Sequence, residues 1–394
     1  MVAVAQLVES RIVIPVVAGS SPVSHPNFLR RVAVFLGVIL AGCATQEPPA
    51  PARQDQLPGQ IAKLLPPNLP DRTGWAADIY AAFATQGIAP TLENVCAVLA
   101  VTEQESSFRA DPSIPGLPAI AWREIDNRAE RIGVPKFAVR AALQLSSPDG
   151  RTYSDRIDAV KTERELSEIY EDFIAGVPLG PRLFAKHNPV RTGGPMQVGI
   201  SFAESHAASH PYPFRVERSI RREVFTRRGG MYFGTAHLLG YEAPYAEPLY
   251  RFADFNAGQY ASRNAAFQAA VSRLSGTSLV LDGDLLPPGA KEGTIGETER
   301  AVQALAQRLG LGAAAIRSDL EQGDKAEFER TRLYERVFAH ADRSEGGKVP
   351  RAVVPDIALV SPKITRKLTT EWFARRVDER FRRCMAKSAS TASG

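Results

Sequence analysis

The stretch Thr102–Pro112, "TEQESSFRADP", closes a run that is apolar almost without interruption, "TLENVCAVLAV", residues 91–101. The apolar spacing predicts a helix over 92–108 that is buried on nearly every side. On it Leu92, Cys96 and Leu99 share a face with Glu103, while Val98, Val101 and Phe108 flank Glu105 on the other. A carboxylate in the last turn of such a helix is disfavoured by desolvation and by the negative end of the helix dipole. Both effects hold it protonated at higher pH, which suits a general acid. A local rule broken at a helix end marks a place to look for function. Spacing alone leaves Glu103 and Glu105 both open.

Working outward, the rest of the chain reads as helix-dominated, all-α. Helical patterns recur in "GWAADIYAAFATQG", "ERELSEIYEDFIAG", "GMYFGTAHLLGY", "GETERAVQALAQRLG" and "TTEWFARRVDERFRRCM". One isolated segment, "SLVLDGDLL", residues 278–286, reads as a strand. No internal repeat is present.

The N-terminal part reads differently. Residues 1–28 include "AQLVESRIVIPVVAGSSPVSHP", which resembles the translated 3′ half of a transfer-RNA gene and is expected to lie ahead of the true start. Residues 29–42 carry Arg30-Arg31 and the apolar run "VAVFLGVILAG", too short to span a bilayer and suited to a signal peptide. Leu40-Ala41-Gly42-Cys43 resembles the bacterial lipobox, which implies lipidation of Cys43 and, with Ala44 next, anchorage in the outer membrane. Residues 43–68, rich in proline and polar groups, are expected to be a tether.

Charge and cysteine content narrow the chemistry. The chain of 394 residues has a formal charge of +5. Its basic and acidic residues are interspersed, and neither zinc spacing nor an aromatic-basic motif points to nucleic acid. The denser cluster "RVERSIRREVFTRRGG" puts Arg215, Arg218, Arg222 and Arg221 at helical spacing, facing either solvent or an anionic polymer. With Cys43 taken by lipid, Cys96 and Cys384 are left. They form one disulfide, or they are a buried thiol and an exposed one. The six histidines have no metal-ligand spacing, and no metal or cofactor is expected.

Three motifs in order carry a resemblance. "ESSF" at Glu105–Phe108 is similar to the Glu-Ser signature of the soluble lytic transglycosylases and goose-type lysozymes. "GGPMQVGI", Gly193–Ile200, resembles their Gly-Leu-Met-Gln motif with Pro195 for leucine, and "DFNAGQY", Asp254–Tyr260, resembles Ala-Tyr-Asn-Ala-Gly with Phe255 for tyrosine. The resemblance implies a lysozyme-like domain over 69–280, interrupted by a helical insertion at 115–188 and followed by a helical C-terminal region, 281–394. It also selects Glu105 as catalytic acid and base, with Glu103 second. Ser106, Met196, Gln197, Phe255 and Asn256 become substrate contacts. The implied reaction cleaves the β-1,4 bond between N-acetylmuramic acid and N-acetylglucosamine in peptidoglycan, the substrate's acetamido group replacing a second carboxylate and a 1,6-anhydro sugar closing.

Across its mature length the chain further resembles a poorly characterised lipoprotein family typified by YaiW, which implies no chemistry. The rival reading is an envelope lipoprotein that binds glycan, or a protein partner as an accessory to uptake, without cutting. The insertion and Phe255 favour it. A nucleophilic enzyme built on Cys96 or Ser106 lacks a paired histidine motif.

Overall fold

The computed structural model describes residues 56–131, 133–289, 293–359 and 367–391. Cys43 and the segments 1–28 and 29–42 lie outside the described residues. The first described helix, α1 (Leu57–Leu64), falls inside the stretch expected to be tether. Ile61 and Leu65 are buried, so an apolar spacing of four residues inside a proline-rich context is enough to dock this turn on the core.

The central layer is built from α2 (Arg72–Gln86), α3 (Leu92–Ser106) and α11 (Arg227–Leu239), joined by α12 (Pro248–Ala257) and the C-terminal α18 (Thr370–Thr391). Thr91 caps α3 by accepting from Asn94 N, and residues Val95 to Thr102 are all buried. The helix ends at Ser106, two residues short of the expected Phe108. Ser107 and Phe108 are both left-handed, with φ of 51° and 58°. The Phe108 ring turns back onto Trp75, centroids 5.7 Å apart and planes at 89°, which retains a conformation costly for side chains with a Cβ.

Between α3 and the next motif lies the insertion, with α4 (Leu117–Arg131), α5 (Lys136–Ala142), α6 (Tyr153–Ala159), α7 (Glu163–Ala175) and α8 (Gly180–Phe184). It has a small core of its own, centred on Leu117, Val139, Tyr153, Ile157 and Ile169. A two-residue hairpin, β1 (Thr192–Gly193) with β2 (Val198–Gly199), then leads into α9 (Ile200–Ser209) and α10 (Ile220–Val224).

A second apolar cluster forms where α13 (Ala261–Ser275) meets α14 (Glu297–Ala304), α15 (Ala306–Leu309), α16 (Ala313–Leu320) and α17 (Arg332–Glu345). The expected strand at 278–286 is absent. With no neighbouring strand to pair with, its backbone is held by side chains of α13: Gln268 Oε1 accepts from Gly283 N at 2.8 Å, Asn264 Nδ2 donates to Gly283 O at 3.2 Å, and Gln268 Nε2 donates to Asp284 O at 3.1 Å. A short hairpin, β3 (Ala358–Leu359) with β4 (Leu368–Thr369), returns the chain to α18.

The expected boundary at 280 therefore does not separate two packing units. Leu285, the helices α14 to α17 and Val349 complete the second cluster with α13, whereas α18 lies back on α3 and α12, where Phe373, Ala374, Val377 and Phe381 join the first. Cys96 of α3 and Cys384 of α18 are bonded, their Cα atoms 5.6 Å apart across 288 residues of sequence.

Candidate functional site

The three motif segments meet along α11. This helix is capped by Thr226, whose hydroxyl accepts from Gly229 N at 2.9 Å, and all ten residues from Gly229 to Leu238 are buried. Two of its glycines make room for the hairpin. A Cβ on Gly230 would stand 2.2 Å from Pro195 Cδ, and one on Gly234 would stand 2.4 Å from Met196 Sδ. Four residues apart, they form one smooth strip on which Pro195 and Met196 lie. Beside it Met231 Sδ accepts from Thr102 Oγ1 at 3.7 Å, and three residues beyond Gly234 the His237 ring contacts Phe255, centroids 5.1 Å apart. Thus the segments bearing Glu105, Gln197 and Asn256 are each anchored to α11 by a residue next to, or three before, the polar one.

Each segment also contains backbone in a sparsely populated region. Ser107 and Phe108 follow the glutamate, Gln197 has φ 49°, and Tyr260 has φ 65°. Strain of this kind persists only where surrounding packing fixes it, and it gathers at binding and catalytic sites.

The polar members differ in access. Glu105 is half-buried at the end of α3. Glu103 points some 200° away around the helix, toward α18, where its Oε1 lies 3.0 Å from Arg383 Nη2 and 3.5 Å from Arg380 Nε. Its place is in docking α18. Gln197 is half-buried and bonded within its own turn, Nε2 donating to Gly194 O and Oε1 accepting from Thr192 Oγ1, both at 3.3 Å. Asn256 is exposed at the end of α12, and its Oδ1 accepts from Thr370 Oγ1 at 3.0 Å.

Three of the expected substrate contacts have buried side chains. Met196 is fully enclosed under Gly234. Phe255 is buried, with its ring parallel to Phe373 of α18 at 6.5 Å. Ser106 is buried too, donating from Oγ to Thr102 O at 3.1 Å and accepting from Arg109 N at 3.2 Å. These side chains hold the segments in place; apolar size and a local acceptor decide their position.

Sequence reasoning missed Asp254, two residues before Asn256. It is wholly buried and accepts four hydrogen bonds: Tyr241 Oη at 3.0 Å, Tyr245 Oη at 2.6 Å, Tyr260 N at 3.0 Å and Ser262 N at 2.6 Å. Burial pushes its carboxyl up to about 6 in spite of those donors. It closes the loop before α12 onto the turn after it and so fixes where Asn256 emerges. The signal available was an Asp inside the motif with tyrosines on both sides.

His237, also missed, donates from Nε2 to Phe255 O at 3.2 Å and accepts through its own backbone O from Gln259 Nε2 at 3.0 Å. Burial lowers its pKa to about 4, and Nδ1 is buried without a partner. His206 of α9, stacked between Phe202 and His210, is lowered to about 4 by burial and then by the nearby His210. Among the described residues no group of three or more His, Cys, Asp or Glu side chains is arranged to hold a metal ion.

The basic cluster does not form the expected helical face. Arg215 and Arg218 lie in an irregular segment, because Pro211 and Pro213 precede them and α10 begins only at Ile220. Arg222 instead pairs with Glu171 at 3.1 Å and Glu168 at 3.2 Å, and Arg221 Nε lies 3.9 Å from both Glu171 and Glu204. The two arginines dock the insertion, through α7, beside the Gln197 hairpin.

A family model described as a protein of unknown function, DUF1615, matches residues 68–387. The chain is 52% identical over 366 residues, 92% of its own length and 99% of the relative's, to the "Uncharacterized protein YaiW" of Escherichia coli (strain K12). No solved structure matches. The chain belongs to the DUF1615 family.

Proposed function

We propose that this DUF1615 chain acts on the glycan strands of peptidoglycan, cleaving the β-1,4 bond as a lytic transglycosylase-like envelope lipoprotein with Glu105 as acid and base. The observation that carries the reading is the assembly of three motif segments on one helix, α11, with left-handed non-glycine residues in all three. Glu105 would protonate the glycosidic oxygen as the bond breaks, then take the proton of the C6 hydroxyl as the anhydro ring closes. Gln197 and the Nδ2 of Asn256 would hold sugar or acetamido groups.

A second reading has its own support. Both amide ends of Gln197 and the Oδ1 of Asn256 are bonded within the protein, as suits a module that binds glycan or a partner without cutting. Digestion of purified sacculi by the protein and by its Glu105→Gln variant separates the two. Anhydro-muropeptides from the wild type, reduced about 100-fold or more by the substitution, are the expected outcome. Reducing-end products would make it a hydrolase. Sacculus binding with no soluble product from either protein would sink the catalytic reading and leave the binding module.

A further inference from the structure

The disulfide that fastens α18 has two unequal ends. Cys96 is 0% exposed within the first cluster, surrounded by Val95, Leu99 and Ala100 of its own helix. Cys384 is half-buried and lines an open groove of about 180 Å³ between α1, α3 and α18, with Leu64, Leu99, Phe108, Arg380, Arg383 and Lys387 around it. Of the two cysteines, Cys384 is the one on the side open to a nucleophile from solvent. The groove is also cationic on that side: Arg380, Arg383 and Lys387 stand four before, one before and three after Cys384 on the helix. Among the described residues the one carboxylate lining the groove, Glu103, is shared between Arg383 and Arg380. Guanidinium and ammonium groups beside a cysteine favour its thiolate, the reactive form.

What the bond holds in place is equally specific. Docked α18 gives Asn256 its Thr370 partner, stacks Phe373 on Phe255, and pairs Arg380 and Arg383 with Glu103. It lies across the ends of two of the three motif segments.

We infer that Cys384 is a thiol-exchange site, the sulfur through which a disulfide or dithiol reagent of the surroundings closes or opens a clasp that secures α18 over α3 and α12. In closing, the Cys384 thiolate attacks one sulfur of the oxidant's disulfide; that bond breaks and its other sulfur leaves as a thiolate, giving a mixed disulfide on Cys384. Cys96 then loses its proton, and its thiolate attacks Cys384 Sγ and expels the oxidant's remaining thiolate. The two cysteines are oxidised by two electrons, the oxidant's disulfide is reduced to two thiols, and the two cysteine protons pass to them. Opening by a dithiol is the reverse, with Cys384 again bearing the mixed disulfide. The inference stands whether or not Glu105 cleaves glycan.

The test uses the reduced full chain. Oxidised glutathione is added in limiting amount under native conditions, the reaction is stopped with acid, and the modified cysteine is mapped by peptide mass. Glutathione on Cys384 in at least tenfold excess over Cys96 is expected, with the preference lost in denaturant. Equal labelling of the two in the folded protein, or more on Cys96, would overturn the assignment. Hydrogen exchange over 370–388 before and after reduction reads the clasp itself. Faster exchange, by tenfold or more, confined to α18 and the faces of α3 and α12 beneath it is expected. Unchanged exchange would mean that packing alone holds α18, and uniform loss of protection throughout the chain would mean that the bond supports the whole fold; either removes the clasp.

Discussion

At the scale of single residues, the close fit at α11 gives the plainest forecast. Gly234→Ala would set a methyl 2.4 Å from Met196 Sδ and 2.6 Å from its Cβ. Overpacking of this kind costs about 1–3 kcal/mol, to be read as a lower denaturation midpoint; an unchanged midpoint would show that the hairpin is not seated there. His237 gives the pH dependence. Its folded value, about 4, lies below the 6.5 of an exposed imidazole, so between those pH values the unfolded chain binds a proton that the folded chain does not. Stability therefore falls as pH drops through that window, by up to roughly 3 kcal/mol from this group. His206 acts with the same sign. Asp254 opposes them: raised from 3.8 to about 6, it binds its proton more firmly when folded, and its contribution declines as pH rises through that interval. Asp284, also raised to about 6 by burial, acts with Asp254, so the histidine's share is read from the variant: His237→Phe should lose less stability than the wild type as pH drops from 6.5 to 4 in urea titrations. Glu105, Gln197 and Asn256 were readable as motif residues because their types and order sufficed. Asp254 and His237 were not, since what defines them is burial and partners supplied by other segments.

At the scale of elements, the helices were legible from their apolar spacing, and α3 and α18 occur where that spacing put them. Their ends and faces were less so. The last turn of α3 is stopped by two left-handed residues that no glycine announces, and α10 is cut short by prolines upstream of its arginines. The short run at 278–286 read as an isolated strand, yet a strand needs a neighbour, and here two amide side chains hold its backbone instead. The α3–α18 pair is where the elements are most strongly coupled. Removing the Cys96–Cys384 bond by Cys384→Ser frees a very long loop in the unfolded state, which should cost about 2–5 kcal/mol. For a chain of this size that lowers Tm by about 3–7 °C, visible by calorimetry. A Tm unaffected by the substitution would mean that the loop is already closed by packing.

At the scale of the whole molecule, the all-helical class was legible while its division was not, because the return of α18 to the first cluster depends on contacts between opposite ends of the chain. Arg263 ties the start of α13 to the turn at 323–328. Wholly buried, it donates to Lys325 O at 2.8 Å and Gly323 O at 2.6 Å and lies 4.2 Å from the Tyr260 ring and 5.2 Å from that of Phe328. Arg263→Ala takes a donor from each carbonyl and both donors from Asn264 Oδ1, leaves a cavity, and should destabilise by about 3 kcal/mol, measured as loss of the folded baseline at lower urea. A cost below 1 kcal/mol would mean that other contacts hold the turn. Finally, the separation of 288 positions between the bonded cysteines sets an order on how the molecule can be made. The ribosome produces α3 early and its cover last, so the half that folds first waits, incompletely shielded, for the final stretch of the message. A chain stopped just ahead of Cys384 should then lose the bond and the last turns of its cover together, and with them at least the stability that Cys384→Ser removes.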